Sequence, residues 1–130
     1  MKKSIMFSLI ALAICILAGC SSVSNNLNLS GTWNYTFKEF GKDQVQTGSM
    51  TIMQDSYKLT GKANDSFGEF QLTGTYIPGS PSLVLDGIRN DKTRTFHFVG
   101  KLSSDNEFDG TYTTNQNTSG TLNATRIGGK

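Results

Sequence analysis

The residues of this chain that could perform chemistry are few, and their spacing does not bring them together. His97 is the only histidine, and the alternation of its segment places it on the face opposite Phe96 and Phe98. Asp86 and Asp109 each precede a glycine and fall on the same outer face. A metal site, general acid–base catalysis and a Ser–His–acid site all need several such groups in one cleft. The sequence therefore predicts no catalytic residue, no metal site and no cofactor, and the chain is not expected to be an enzyme.

A second set of residues is suited to binding rather than to catalysis. Its members are aromatic and fall on the face opposite His97: Tyr35, Phe70, Tyr76, Phe96, Phe98 and Tyr112. A phenol has an unperturbed pKa of about 10, so tyrosine is a poor base at neutral pH but can fix the orientation of a bound molecule. These six residues are the candidate lining of a pocket for a small apolar ligand.

The elements that must position these residues are short strands. Apolar and polar residues alternate in eight runs, at 29–38, 46–54, 57–64, 68–77, 82–89, 94–102, 106–114 and 118–127. The connections are rich in turn-forming residues and are too short for the crossovers that parallel strands require. Each run is therefore expected to pair with the next one in the antiparallel sense.

One apolar and one polar face along every run is typical of an antiparallel sheet that closes on itself. The sequence thus predicts an all-β domain over residues 29–130, folded as an eight-stranded antiparallel up-and-down β-barrel. A barrel of this size is either filled by side chains or holds one small ligand. Nine aromatic residues on the inner face leave room for at most a small pocket at one mouth.

Glycines recur on the inner face every 13 residues, at Gly61, Gly74, Gly87 and Gly100. Glycine weakens a strand, but it permits the sharp bend that a small barrel needs. We expect aromatic rings to cover three inward glycines, in the cross-strand pairs Gly61–Phe70, Gly100–Phe108 and Gly120–Tyr112. The alternative is that the glycines leave space for a ligand.

The start of the first strand and the end of the last one resemble a known architecture. Gly31-Thr32-Trp33 opens the first strand, and Arg126 ends the eighth. Together with the eight-stranded meander, this pattern resembles the calycin superfamily of lipocalins and avidins. The resemblance implies that Gly31, Trp33 and Arg126 close the barrel, with the Arg126 guanidinium packed across the indole ring of Trp33. The chain is also similar to small lipocalin-like bacterial lipoproteins, which adds no chemistry.

The segment before the barrel resembles a bacterial lipoprotein signal. Two lysines precede an apolar run over residues 5–17, which is too short to span a membrane, and Leu17-Ala18-Gly19-Cys20 ends it. The resemblance implies that residues 1–19 are a signal peptide removed before Cys20 and that Cys20 carries the lipid. Several acyl chains would hold the protein firmly at a membrane.

The residues that follow Cys20 indicate which membrane of the bacterium would hold the protein. Ser21 differs from the Asp that retains lipoproteins at the inner membrane, so the resemblance implies the outer membrane, facing the periplasm or the cell surface. In a bacterium with one membrane, the lipid would hold the protein on the outer face of that membrane. Residues 20–28 are mostly polar and uncharged, and we expect them to be a tether between lipid and barrel.

Charge argues against a nucleic-acid partner. The 12 basic residues of the chain fall to 10 when Lys2 and Lys3 leave with the signal, and they then equal the 10 acidic residues. A neutral domain with interspersed signs lacks the basic patch that binds phosphates.

The function expected from these features is that of a lipid-anchored envelope protein whose barrel binds a small apolar molecule. Its expected partners are the membrane, through the lipid on Cys20, and that ligand. Two alternatives remain. One is a barrel that binds another envelope protein, for example as an inhibitor of a periplasmic hydrolase. The other is a purely structural envelope protein.

Overall fold

A computed structural model describes residues 23–24 and 27–128 of the chain. The expected signal peptide over residues 1–19 and the expected lipidation site Cys20 lie outside the described residues. Eight strands follow one another: β1 (Gly31–Glu39), β2 (Gln46–Asp55), β3 (Lys58–Asp65), β4 (Gly68–Ile77), β5 (Ser82–Arg89), β6 (Thr95–Ser104), β7 (Glu107–Thr114) and β8 (Ser119–Gly128). The predicted runs agree with these strands to within two residues at every end.

The strands form one closed barrel. Each strand pairs with its neighbours in the antiparallel sense, and β8 returns to pair with β1. The closing ladder sets Trp33 opposite Arg126, Tyr35 opposite Ala124 and Phe37 opposite Leu122. The predicted eight-stranded antiparallel up-and-down barrel is therefore confirmed. Among the described residues, no helix is long and apolar enough to cross a membrane.

The two ends of the barrel differ. The turns after β2, β4 and β6 lie at one end, together with residues 27–30, and we call this end the floor. The turns after β1, β3, β5 and β7 lie at the other end, which we call the mouth. Large buried side chains fill the floor half: Trp33, Phe108, Leu29, Ile52, Leu59 and Leu83.

Trp33 is the centre of the floor. Its side chain is fully buried, and its indole Nε1 donates a hydrogen bond to the carbonyl oxygen of Leu29 at 3.0 Å. The ring centroid lies 4.9 Å from that of Phe108 on one side. The Arg126 guanidinium lies 4.7 Å from the Trp33 ring, so the stacked contact expected from the sequence is present.

Arg126 also holds the chain that enters β1. Its guanidinium donates to the carbonyl oxygens of Ser30 at 2.7 Å, Asn28 at 2.8 Å and Asp105 at 2.7 Å. These bonds join the start of β1, the end of β8 and the turn after β6. Gly31 lies between them with φ of 146°, a backbone conformation that favours glycine.

The last residues of the expected tether belong to the barrel instead. Leu27 is buried in the core, and Asn28 is held by Arg126. Val23 packs against the core, and Ser24 hydrogen-bonds to the carboxylate of Asp105. Residues 20–28 are mostly polar, but the floor buries Leu27 and partly covers Val23. Because all eight strands and the described core lie after residue 22, a chain that begins at Ser21 retains every described contact of the barrel.

The inward glycines permit close packing. A Cβ would come within about 2 Å of a carbonyl oxygen in the neighbouring strand at four of them: Gly61, Gly74, Gly110 and Gly120. At three others it would strike an aromatic ring, namely Tyr35 at Gly48, Phe96 at Gly87 and Phe98 at Gly100. The space beside these glycines is therefore filled by backbone or by rings, not left for a ligand.

Only one of the three predicted glycine pairs is present. Gly120 lies opposite Tyr112 as predicted. The other two pairs are wrong, because Gly61 lies opposite Leu72 and Gly100 lies opposite Gly110. In both hairpins the turn is centred later along the chain than expected, and a shift of the centre by one residue moves each cross-strand partner by two.

Candidate functional site

The mouth half of the barrel is hollow. A cavity of about 270 Å³ opens there, and roughly 150 Å³ is enough for benzene to occupy an apolar protein cavity. Its apolar lining comes from the inner faces of all eight strands: Tyr35, Phe37, Met50, Ala63, Phe70, Leu72, Leu85, Phe96, Phe98, Tyr112 and Leu122. The barrel is therefore filled at the floor and open to a small molecule at the mouth.

Five of the six predicted lining residues border this cavity: Tyr35, Phe70, Phe96, Phe98 and Tyr112. The prediction for Tyr76 is wrong, because the structure places that residue at the floor. Tyr76 lies near the end of β4, where its N–H donates to the carbonyl oxygen of Tyr57 at 2.8 Å. Burial raises its pKa, and the charge of Asp105 adds to that rise. Alternation correctly predicted which residues face the interior of the barrel. It did not predict how far each residue lies from the floor.

A rim of polar side chains surrounds the opening, and sequence analysis missed it. Its members line the same cavity: Glu39, Lys42, Gln44, Gln46, Asp65, Arg94, Thr114 and Thr118. Several of them extend the inner face by one step, since Glu39 follows Phe37 by two residues and Arg94 precedes Phe96 by two. Alternation continued to the end of each run, and one residue past it at Glu39 and Asp65, is the signal that identifies six of the eight.

Asp65 and Tyr35 form a hydrogen-bonded pair at one side of the cavity. The Tyr35 hydroxyl donates to Asp65 Oδ2 at 2.6 Å, while Oδ1 accepts the N–H of Phe67 at 2.8 Å. Burial, together with the hydrogen bond and the charge of Asp65, raises the pKa of Tyr35 far above its usual range. The Tyr35 hydroxyl therefore stays protonated and committed to Asp65.

Phe67 stands at the edge of the opening, in the turn between β3 and β4. Its ring centroid lies 6.1 Å from that of Phe37, and the Arg94 guanidinium stacks on it at 4.0 Å. Arg89 Nη1 donates to the carbonyl oxygen of Phe67 at 3.0 Å, which fixes the turn. Phe37 in turn meets Tyr112 edge to face at 5.8 Å. On this side the rim therefore consists of packed aromatic rings, and the Arg94 guanidinium stacks on one of them.

Glu39 and Lys42 form an ion pair on the rim, with Lys42 Nζ 2.6 Å from Glu39 Oε2. The Lys42 side chain is 69% exposed, so this pair contributes little to stability. Burial raises the pKa of Tyr112; the charge of Glu39 adds to this effect, and that of Arg94 opposes it. The hydroxyl of Tyr112 is therefore within the electrostatic reach of both rim charges.

His97 lies on the outer wall, away from the cavity. Its Nδ1 is 2.6 Å from Asp86 Oδ1, and both side chains are about half exposed to solvent. The two residues are direct cross-strand partners on β5 and β6. Within residues 23–24 and 27–128, no group of three or more His, Cys, Asp or Glu side chains is placed to hold a metal ion.

Comparison with known proteins supports the fold. No family model matches this sequence, and none of the curated proteins matches it. Among solved structures, a redesigned β-barrel is similar, with 20% sequence identity and a TM-score of 0.65 over 77% of this chain and 92% of that one. At this identity the likeness extends to the eight-stranded barrel architecture alone.

Proposed function

We propose that this protein binds a small, largely apolar molecule in the cavity at the mouth of its barrel. The observation that carries the proposal is a cavity of about 270 Å³ with a mainly aromatic and aliphatic wall. Burial of about 200 Å² of apolar ligand surface contributes roughly 5 kcal/mol to the affinity, and the entropy cost of association opposes this gain. Polar contacts at the rim would add to this affinity and fix the orientation.

We further propose that the protein binds its ligand without altering it. Two of the ionisable groups beside the cavity are already engaged, since Asp65 accepts from Tyr35 and Glu39 pairs with Lys42. A general base needs a pKa near the working pH, whereas the pKa of Tyr35 is raised away from it. The ionisable side chains beside the cavity are therefore suited to recognising a ligand rather than to reacting with it.

The lipid anchor proposed at Cys20 fits this arrangement. Ser24 is bound to Asp105 at the floor, and the four residues from Cys20 to Ser24 span at most about 14 Å. An anchored barrel would therefore face the membrane with its floor and present its mouth to the aqueous phase. This orientation suits a lipoprotein of the outer membrane that exchanges a small molecule with the surrounding compartment.

Replacement of Cys20 by alanine tests the anchor. The thiol is the atom that would be acylated, so the variant should carry no lipid and should accumulate as an uncleaved or soluble form. Growth with a labelled fatty acid followed by membrane fractionation measures both. Equal labelling of the variant and the native protein would contradict the lipoprotein assignment.

Ala63→Leu tests the cavity. Ala63 is buried on β3 and lines the cavity, so three added carbons should fill part of the space and expel the ligand. Native mass spectrometry of protein extracted from its own host should show a small molecule on the native chain and none on this variant. Lys62→Leu places the same side chain on the outer wall one residue earlier, and it should retain the ligand. Equal retention by Ala63→Leu would contradict the proposal.

A second candidate function is the binding of another envelope protein. The loop between β1 and β2 exposes two large apolar side chains beside the mouth, Phe40 at 58% and Val45 at 57%. Two large exposed apolar side chains on one short loop are a candidate interaction site. Loss of a partner on Phe40→Ser, with no small molecule found in the native cavity, would favour this function over the first.

A further inference from the structure

We infer that the ligand of the cavity is a small carboxylate, whose anionic group Arg94 binds at the rim while its apolar body fills the cavity. This inference rests on the proposed function and names the chemical class of the ligand. It assigns Arg94 a role in specificity that no other residue of the rim shares.

Arg94 differs from the other charged residues of the rim in what it contacts. Glu39 and Lys42 neutralise each other at 2.6 Å. Both oxygens of Asp65 accept hydrogen bonds, from Tyr35 and from the N–H of Phe67. Within the part of the chain that the structure describes, the Arg94 guanidinium contacts the Phe67 ring at 4.0 Å and donates no hydrogen bond. Arg94 is therefore the rim charge whose hydrogen-bonding capacity is unused.

The way Arg94 is held leaves it ready for a carboxylate. A guanidinium that stacks on an aromatic ring uses its face for that contact and keeps its in-plane N–H donors available. Those donors form a rigid fork that matches the two oxygens of a carboxylate. Phe67 itself is fixed by Arg89 and by Asp65, so the stacking surface is in place before a ligand arrives.

Tyr112 supplies a second donor beside Arg94. Its hydroxyl donates no hydrogen bond to any other described residue, and its ring lines the same cavity as Arg94. The charges of Arg94 and Glu39 both act on this hydroxyl. A carboxylate at the rim could accept from the guanidinium and from the phenol together. A ligand ammonium would instead need Asp65 or Glu39. Both already have partners, because Asp65 accepts from Tyr35 and Phe67 and Glu39 pairs with Lys42.

Three naphthalene derivatives of matched shape test the assignment: naphthalene-2-carboxylate, naphthalene-2-carboxamide and 2-(aminomethyl)naphthalene. Isothermal titration is made with the chain that begins at Ser21, as native protein and as the variants Arg94→Gln and Arg94→Lys. Lys62→Gln is the control, because it removes the same charge from the outer wall. Circular dichroism shows that each variant retains the barrel.

We expect the native barrel to bind the carboxylate at least about 10-fold more tightly than the carboxamide, a difference of roughly 1.4 kcal/mol. Arg94→Gln should bring this ratio close to one with little change in carboxamide affinity, Arg94→Lys should restore part of it, and Lys62→Gln should keep it. Suppose that the carboxamide binds but Arg94→Gln does not alter the ratio of carboxylate affinity to carboxamide affinity. This result would overturn the role of Arg94 and leave the cavity function standing. If 2-(aminomethyl)naphthalene bound more tightly than the other two compounds, the role of Arg94 would also be overturned and the cavity function would stand. Failure of all three compounds to bind would overturn the proposed function itself.

Discussion

Replacement of Trp33 by alanine should lower the free energy of unfolding by about 3–5 kcal/mol. The indole is fully buried at the floor, packs against Phe108 and donates to the carbonyl oxygen of Leu29. Its removal leaves a large void in the floor and an unpaired carbonyl at Leu29, whose N–H still donates to Gln54 Oε1. Urea unfolding followed by circular dichroism measures the change.

Trp33→Phe is the matched control for this prediction. It keeps an aromatic ring between Phe108 and Arg126 but loses the hydrogen bond to Leu29, so it should cost less than Trp33→Ala. In a double-mutant cycle with Arg126→Met, the two losses should not add, because the guanidinium lies 4.7 Å from the indole ring. Additive losses would show that the two side chains do not interact, which would contradict the closed floor.

Replacement of Gly110 by alanine should destabilise the barrel by about 3 kcal/mol. A Cβ at this position would lie 2.0 Å from the carbonyl oxygen of Val99 and 2.6 Å from the Cα of Gly100. Both are backbone atoms, so no side-chain rotation relieves the clash, and β6 and β7 must separate. The melting temperature and the urea midpoint should both fall.

Gly79→Ala is the control for the same chemical change. Gly79 lies in the turn between β4 and β5, and a Cβ there would meet no atom within 4 Å. Its stability should change by less than about 1 kcal/mol. Equal effects at Gly79 and Gly110 would mean that the inward glycines are not required by the close approach of neighbouring strands.

The fold could be predicted because alternation is a strong signal when every strand has one buried face. Trp33, Tyr35 and Phe37 alternate with Asn34 and Thr36, and only a two-residue period separates these sets. Short polar connections then leave antiparallel neighbours as the one arrangement. Closure follows because an inner face that is apolar along all strands must be covered.

The rim of the cavity could not be predicted in the same way, because its residues lie where strands meet turns. Asp65 is the last residue of β3 and faces inward, yet aspartate beside Ser66 is a typical turn signal. Glu39 lies one residue beyond the predicted end of its run. Arg94 precedes β6 and lines the cavity although it is outside the strand. Charged residues at these positions suggested that the side chains face solvent, whereas the alternation of each strand directs them to the cavity.

The position of each inward residue along the barrel axis was the second property that could not be predicted from the sequence. Alternation places Tyr76 and Tyr112 on the same inner face, but one lies at the floor and the other beside the cavity. Height depends on the direction of each strand and on cross-strand register, and register depends on the centre of each hairpin. The predicted centres of two hairpins were wrong by one residue, and this error gave Gly61 and Gly100 the wrong cross-strand partners.

Backbone amide chemical shifts during titration with naphthalene-2-carboxylate test the central claim, the binding of a small molecule at the mouth, most directly. We predict saturable shifts that are largest at Ala63, Phe70, Phe96 and Phe98, and their loss in Ala63→Leu but not in Lys62→Leu. Shifts that do not saturate, or that spread over the outer wall around His97 and persist in Ala63→Leu, would contradict it.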